Sequence, residues 1–130
     1  MTRLICGLLS TLWFVAVAQA QSLPEWSIWK NERTSMLVVS TVDAKAGTFL
    51  GSFMNNAEMY KCRGYAVPIS GKINGNDIII TANFAPCHNA ISVWKGTLKD
   101  TTIMTNLELW FVDDNYNFKH NAGPEVFTKQ

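Results

Sequence analysis

An amide and a hydroxyl side chain, Asn31 and Ser35, lie four residues apart in the stretch WSIWKNERTSM, which begins at Trp26. Both groups can hydrogen-bond a ligand as well as the backbone. The spacing is too long for one face of a short strand, and it suits a tight turn that points two small polar side chains the same way. The residues alone leave two interpretations open: a polar binding site, or a turn asparagine followed by an exposed strand hydroxyl.

Catalytic chemistry is not indicated by the other polar residues. We expect His88 and His120 in loop-like segments without a nucleophile motif nearby, and no G-x-S-x-G, H-E-x-x-H or phosphate-binding loop occurs. Cys62, Cys87 and His88 show neither C-x-x-C pairing nor a second histidine at ligand spacing. The sequence therefore predicts neither an enzyme nor a metal site.

The N-terminal residues have the order of a secretory signal. Arg3 precedes an apolar run over residues 4–17, and a small-x-small cleavage site follows at 18–20. We therefore expect a signal peptide over residues 1–20, one domain over residues 21–130, and a secreted or periplasmic location. The apolar run is shorter than the roughly 20 residues of a membrane-spanning helix, so no membrane partner is expected.

The chain that remains after cleavage is electrically balanced. Without Arg3 it has ten basic and ten acidic residues, a net charge of zero. This balance gives no support to a nucleic-acid partner or to an anionic membrane surface.

Two of the three cysteines, Cys62 and Cys87, remain after cleavage. Export places them where a disulfide can persist. We expect one bridge, which would close a loop of about 26 residues and contribute on the order of 3 kcal/mol in the chain-entropy model.

Short β-rich runs separated by turn residues recur about every ten positions after residue 20, whereas no helix-period apolar stripe of useful length appears. The predicted strands are residues 27–31, 35–42, 48–54, 65–73, 77–84, 91–98, 102–112 and 125–129. Most connections are short enough to join antiparallel neighbours, which predicts an up-and-down meander. The two longer connections, 55–64 and 85–90, each contain one of the two cysteines.

The expected fold class is all-β, an eight-stranded antiparallel up-and-down β-barrel, whose interior can hold one small ligand. Alternation along three of the strands gives a predicted inward set: Ile78, Ile80, Ala82, Phe84, Ala90, Ser92, Trp94, Thr105, Leu107 and Leu109. A mainly apolar set of this kind can line a ligand cavity or fill a solid core, and the pattern leaves both open.

Seven short motifs resemble the avidin and streptavidin family over almost all of residues 21–130. In chain order they are Trp29-x-Asn31-x-x-x-Ser35-Met36, Gly47-x-x-x-Gly51-Ser52-Phe53, Ser70-Gly71-Lys72, Thr81-Ala82-Asn83-Phe84, Trp94-Lys95-Gly96, Ile103-Met104-Thr105 and Gly123-Pro124-Glu125-Val126-Phe127-Thr128-Lys129. Each is weak alone, but seven in order on the appropriate strands make chance similarity improbable. Cys62 and Cys87 with Asn74-Gly75 are closest to the dimeric, disulfide-containing branch typified by rhizavidin.

The resemblance implies a protein that binds biotin as a ligand, with no cofactor. In the family, the residues matching Asn31 and Ser35 hydrogen-bond the oxygen of biotin's ureido ring. A neutral cyclic urea buried in an apolar lumen needs partners for its oxygen and both N–H groups. Trp94 matches an aromatic wall against the bicyclic ring, Ser92 a hydroxyl near the thioether sulfur, and Asn55 a polar residue of the loop over the barrel mouth.

Four departures from the family pattern predict weaker binding than in typical members. Phe53 stands where a tyrosine usually donates to the ureido oxygen, and Glu125 stands where Asp or Asn accepts from a ureido N–H. Phe84 and Leu107 replace two tryptophan walls. One lost buried donor costs about 1–3 kcal/mol and two trimmed aromatics about as much again, roughly two to four powers of ten in affinity.

The resemblance also bears on assembly. The tryptophan that family tetramers lend to a neighbouring subunit has no counterpart, so a homodimer is expected, with a homotetramer as the alternative.

Two other functions remain open. With Phe53, Phe84 and Leu107 in its walls, the lumen is more apolar and roomier than a biotin site, which suits another small apolar ligand. The loop over residues 55–64 is the feature on which a loop-mediated inhibitor or interaction module would depend.

Overall fold

One closed sheet makes up the fold of this computed structural model, which describes residues 13, 23–85, 87, 89–112 and 117–130. These residues form eight strands: β1 (Ser27–Lys30), β2 (Met36–Asp43), β3 (Thr48–Met54), β4 (Ala66–Asn74), β5 (Asp77–Asn83), β6 (Ala90–Lys99), β7 (Thr102–Val112) and β8 (Asn117–Lys129). Each strand pairs antiparallel with the next, and β8 pairs with β1 to close the barrel. The predicted eight-stranded up-and-down barrel is confirmed.

The predicted signal peptide over residues 1–20 lies outside the described residues, apart from position 13. Within the part of the chain that the structure describes, no helix is long and apolar enough to cross a membrane.

Burial follows the period of two that the strands predict. On β5, Ile78 and Ile80 face inward and are almost fully buried, whereas Ile79 between them is 44% exposed. Trp94 of β6 lies directly opposite Ile80 on one side and Leu107 of β7 on the other, so these three side chains share one level of the lumen.

The lumen is filled at the end formed by the β2–β3, β4–β5 and β6–β7 turns. The side chains that fill it are almost fully buried: Val39, Phe49, Ile78, Leu98 and Ile103. Gly71 leaves room there, because an added Cβ would lie 2.0 Å from Cζ of the Phe49 ring. The solid-core interpretation is therefore correct at this end of the barrel.

The predicted start of the last strand, at residue 125, is wrong. β8 begins at Asn117 and pairs with β7 along its whole length. A register shift opposite Leu107 and Glu108 leaves Ala122 as an extra residue on β8, which is the pattern of a β-bulge. His120, expected in a loop, therefore lies on a strand, opposite Leu109; His88 lies outside the described residues.

The expected disulfide joins two loops at the other end of the barrel. Cys62 in the β3–β4 loop is bonded to Cys87 in the β5–β6 loop, with their Cα atoms 5.9 Å apart. Both loops leave the same end of an up-and-down meander, as the sequence predicted, and Cys62 is fully buried. The bridge is confirmed, and it fixes the β3–β4 loop over the open end of the lumen.

Candidate functional site

A cavity of about 410 Å³ occupies the end of the lumen at which the β3–β4 and β5–β6 loops lie. This volume is in the range of small-molecule sites. Eight of the nine predicted site residues line it: Ser35, Phe53, Asn55, Phe84, Ser92, Trp94, Leu107 and Glu125. The cavity interpretation of the lumen thus holds at this end, opposite the packed end.

Asn31, the ninth predicted residue, lies beside the cavity and contacts its lining. Its Oδ1 accepts hydrogen bonds from the backbone N–H groups of Arg33 at 3.0 Å and Ser35 at 2.9 Å. Its Nδ2 donates to Glu125 Oε1. The tight turn expected between Asn31 and Ser35 therefore exists, and the asparagine amide itself organises it. Its second Nδ2 proton has no acceptor among the residues that the structure describes.

Glu125 presents a carboxylate that two neutral donors hold in place. Oε1 accepts from Asn31 Nδ2 and Oε2 accepts from the indole Nε1 of Trp94. The hydroxyl of Thr105 donates to the backbone carbonyl of Glu125 at 2.8 Å, which fixes the strand at this position. A carboxylate has about four lone-pair directions, so Glu125 retains acceptor capacity toward the cavity.

Ser35 is hydrogen-bonded to the β3–β4 loop, and Asn55 is hydrogen-bonded within it. Ser35 Oγ accepts the backbone N–H of Asn56 at 3.0 Å, and the Ser35 side chain is almost fully buried. Asn55 Oδ1 accepts the backbone N–H of Ala57 at 2.8 Å, so its carbonyl oxygen is engaged in the loop. Ser92, also buried, contributes a hydroxyl from β6.

Aromatic rings form the apolar wall of the cavity. The Phe53 and Trp94 ring centroids are 4.8 Å apart, and Phe84 packs edge-on against Phe53 at 6.1 Å. Phe127 meets both Phe53 and Trp94 in T-shaped contacts at 6.3 and 5.9 Å. These contacts hold the wall rigidly, since each ring is fixed by at least one other.

Sequence reasoning missed most of the lining that comes from loops. Arg33 of the β1–β2 turn and a run of the β3–β4 loop, Ala57 to Tyr60, also line the cavity. Tyr60 packs edge-on against Phe84 at 6.2 Å, and burial raises the pKa of its phenol. The available signal was Cys62, two residues away, because its bridge draws this loop toward the lumen.

The lining contributed by strands was easier to foresee. Ala90 and Leu109 line the cavity and belong to the predicted inward set, and Phe111 continues the period of two along β7.

Among the residues that the structure describes, no group of three or more His, Cys, Asp or Glu side chains is placed to hold a metal ion.

Comparison with known proteins identifies relatives of this chain. Residues 18–130 match the model of the Avidin family. Comparison with curated protein sequences found no match.

Solved structures with the same fold include several biotin complexes. The bradavidin2–biotin complex is 33% identical with a TM-score of 0.71, over 83% of this chain and 99% of that one. A shwanavidin–biotin complex is 25% identical with a TM-score of 0.69, over 85% and 100% of the two chains. The rhizavidin–biotin complex is similar in fold, with a TM-score of 0.69 at 22% identity over 80% and 98%. These matches confirm the resemblance found in the motifs, and because the family model spans nearly all of the sequence, the chain belongs to the avidin family.

Proposed function

We propose that this protein is an extracytoplasmic biotin-binding protein that holds its ligand non-covalently in the barrel lumen. The observation that carries the proposal is a cluster of polar groups at one side of an aromatic-walled cavity. Ser35, Glu125 and the Asn31 amide form this cluster, which we call the polar pole. A buried cyclic urea needs donors at its oxygen and an acceptor at its N–H groups, and this pole supplies both kinds. Bradavidin2, which is 33% identical, has been solved with biotin.

Five residues of the site have a defined role in this proposal. The hydroxyl of Ser35 and the remaining Nδ2 proton of Asn31 donate to the ureido oxygen, and Glu125 accepts from a ureido N–H. The bicyclic ring packs against Trp94. Ser92 lies near the thioether sulfur.

The mouth of the cavity takes the tail of the ligand. Asn55 begins the β3–β4 loop and lines the cavity, so we assign it to the valerate tail or to a ureido N–H. The Asn55 amide nitrogen can donate to the valerate carboxylate. A ureido N–H would instead need the second lone pair of Asn55 Oδ1, whose first lone pair accepts the Ala57 N–H.

We further propose that biotin binds less tightly than in typical family members. Phe53 is buried among three rings and has no hydroxyl to donate. Phe84 and Leu107 offer less apolar area than the tryptophans of the family. One missing donor costs about 1–3 kcal/mol and the smaller walls about as much again, which lowers affinity by roughly two to four powers of ten.

Export and assembly belong to the same proposal. The signal-like order of residues 1–20, with a positive residue, an apolar run and a small-x-small site, supports a secreted or periplasmic location, and so does the Cys62–Cys87 bridge. We expect a homodimer, with a homotetramer as the alternative, and sedimentation of the mature chain distinguishes the two.

A second candidate, a small apolar ligand other than biotin, is favoured by the composition of the walls. Phe53, Phe84, Leu107, Leu109 and Phe111 all line the cavity. Displacement of a fluorescent fatty acid tests it: release by biotin supports the first proposal, and tight retention in excess biotin supports the second.

Isothermal titration of the refolded chain 21–130 with biotin tests the proposed function. Ser35→Ala should weaken binding about tenfold, because it removes one donor to the ureido oxygen. Ser70→Ala is the matched control, since Ser70 is an exposed serine on β4, and it should bind like the wild type. No heat and no thermal stabilisation at millimolar biotin would refute the proposal.

A further inference from the structure

One asparagine of the β3–β4 loop is bonded to two consecutive residues of the β1–β2 turn. The backbone N–H of Asn56 donates to Ser35 Oγ at 3.0 Å, and its side-chain Nδ2 donates to the carbonyl of Thr34 at 2.9 Å. Asn56 is absent from the site residues expected from the sequence. The two bonds join the loop over the cavity to the turn that carries the polar pole.

The turn that Asn56 contacts is strained. Thr34 has a φ of 63°, in the left-handed region that a β-branched residue rarely adopts. Such a conformation persists where surrounding contacts over-determine it. Asn31 supplies those contacts on one side, through its Oδ1, and Asn56 supplies them on the other. Together the two asparagines fix the direction of the Ser35 side chain.

The bond from the Asn56 N–H also determines what the Ser35 hydroxyl can do. A hydroxyl has one proton to donate and two lone pairs. Asn56 occupies a lone pair, and among the described residues we find no acceptor for the Ser35 proton. Because Ser35 is 2% exposed and lines the cavity, this proton is left for an acceptor atom of a ligand.

We infer that Asn56 is a positioning residue that makes Ser35 a donor toward the cavity and ties that donor to the β3–β4 loop. The inference rests on the proposed function. It predicts that a ligand whose acceptor oxygen takes the Ser35 proton depends on Asn56 more than a ligand that presents an N–H group to the remaining lone pair of Ser35.

The test compares biotin with 2-iminobiotin, whose head carries an imino nitrogen, protonated near neutral pH, in place of the ureido oxygen. Asn56→Ala keeps the backbone N–H but removes the Nδ2 bond to the Thr34 carbonyl, which holds that N–H against Ser35 Oγ. It should weaken biotin binding about 2- to 10-fold, the range expected for one lost hydrogen bond, while 2-iminobiotin changes less than about twofold. Asn83→Ala is the matched control. Its Oδ1 accepts the Ala85 N–H at 2.9 Å in the β5–β6 loop, so it loses a similar turn bond outside the cavity lining. Both ligands should bind it as they bind the wild type.

A double variant separates positioning from general loosening of the loop. On a Ser35→Ala background, Asn56→Ala should change biotin affinity less than about twofold, because the oriented donor is already gone. Two results would overturn the role of Asn56 and leave the proposed function standing. One is an equal loss of affinity for biotin and 2-iminobiotin, and the other is an undiminished effect of Asn56→Ala on the Ser35→Ala background. A wild-type chain that does not bind biotin would refute the proposed function and the ligand role of Asn56 together.

Discussion

Replacing Glu125 with glutamine tests whether its carboxylate holds the site together. The wild-type oxygens accept from Asn31 Nδ2 and Trp94 Nε1, and both donors are buried. A glutamine of the same shape has one carbonyl oxygen and one NH2 group, so one of the two donors must face another donor. The change removes one hydrogen bond to a charged group and leaves a buried donor without a partner, which costs about 3 kcal/mol.

This cost should be visible as a lower melting temperature. For a domain of this size, about 3 kcal/mol corresponds to a drop of roughly 12 °C in Tm. Calorimetry of the ligand-free chain measures it without any assumption about the ligand. Glu58→Gln is the matched control, because Glu58 lines the cavity rim and the same chemical change there should shift Tm by no more than about 2 °C.

The opposite result has a clear physical meaning. A half-buried carboxylate without a cationic partner is partly desolvated, and neutralising it relieves that cost. Among the described residues, neither ion pair involves Glu125, since both are made by Glu108. If the desolvation cost were larger than the two hydrogen bonds, Glu125→Gln would melt at or above the wild-type temperature, and the reasoning that makes Glu125 the anchor of the pole would be refuted.

Three further predictions concern the bridge, the strained turn and the outer face. Replacing both Cys62 and Cys87 with serine should lower stability by about 3 kcal/mol, or about 12 °C in Tm, and a reducing agent should then have no further effect on melting. Thr34→Gly should stabilise the ligand-free chain by about 0.5–1 kcal/mol in urea unfolding, because glycine adopts a positive φ without steric cost; a loss of stability would show that Thr34 is not strained. The hydrogen bond and charge of Lys119 hold the pKa of Glu108 below its ordinary value, so this pair stabilises the fold above the ordinary glutamate pKa and the contribution is lost as pH falls through the lowered one. Lys119→Met should therefore flatten the acid side of a Tm–pH profile, and an unchanged profile would contradict it.

The barrel was predictable because its determinants are local. Runs with a period of two, such as Ile78 to Ala82, and short polar turns define seven of the strands to within a residue or two. The start of β8 was not predictable in this way, since Gly123 and Pro124 resemble a loop. The ladder with β7 and the bulge at Ala122 supply what the local sequence lacks: backbone partners for a polar segment.

The candidate site was predictable where strand alternation or the family motifs carry it, and not along most of the β3–β4 loop. Trp94 and Leu107 followed from alternation, and Glu125 from its motif. The contribution of Asn56 depends on how the β3–β4 loop folds back onto the β1–β2 turn, a contact between residues 21 and 22 positions apart. No period or motif encodes that contact, because it is set by the bridge and by the shape of the loop.

The two ends of the barrel are stabilised by different means, and the difference explains where the site lies. At one end, large apolar side chains such as Phe49 and Ile103 fill the lumen and are fully or almost fully buried. At the other end the cavity takes the place of that packing. Other interactions must then stabilise the loops around the cavity mouth if they are to keep a single conformation. The Cys62–Cys87 bridge and the two bonds from Asn56 are found at this end. Covalent and polar links thus replace apolar packing where the lumen is kept open, so loosening them should affect ligand retention more than it affects the packed end.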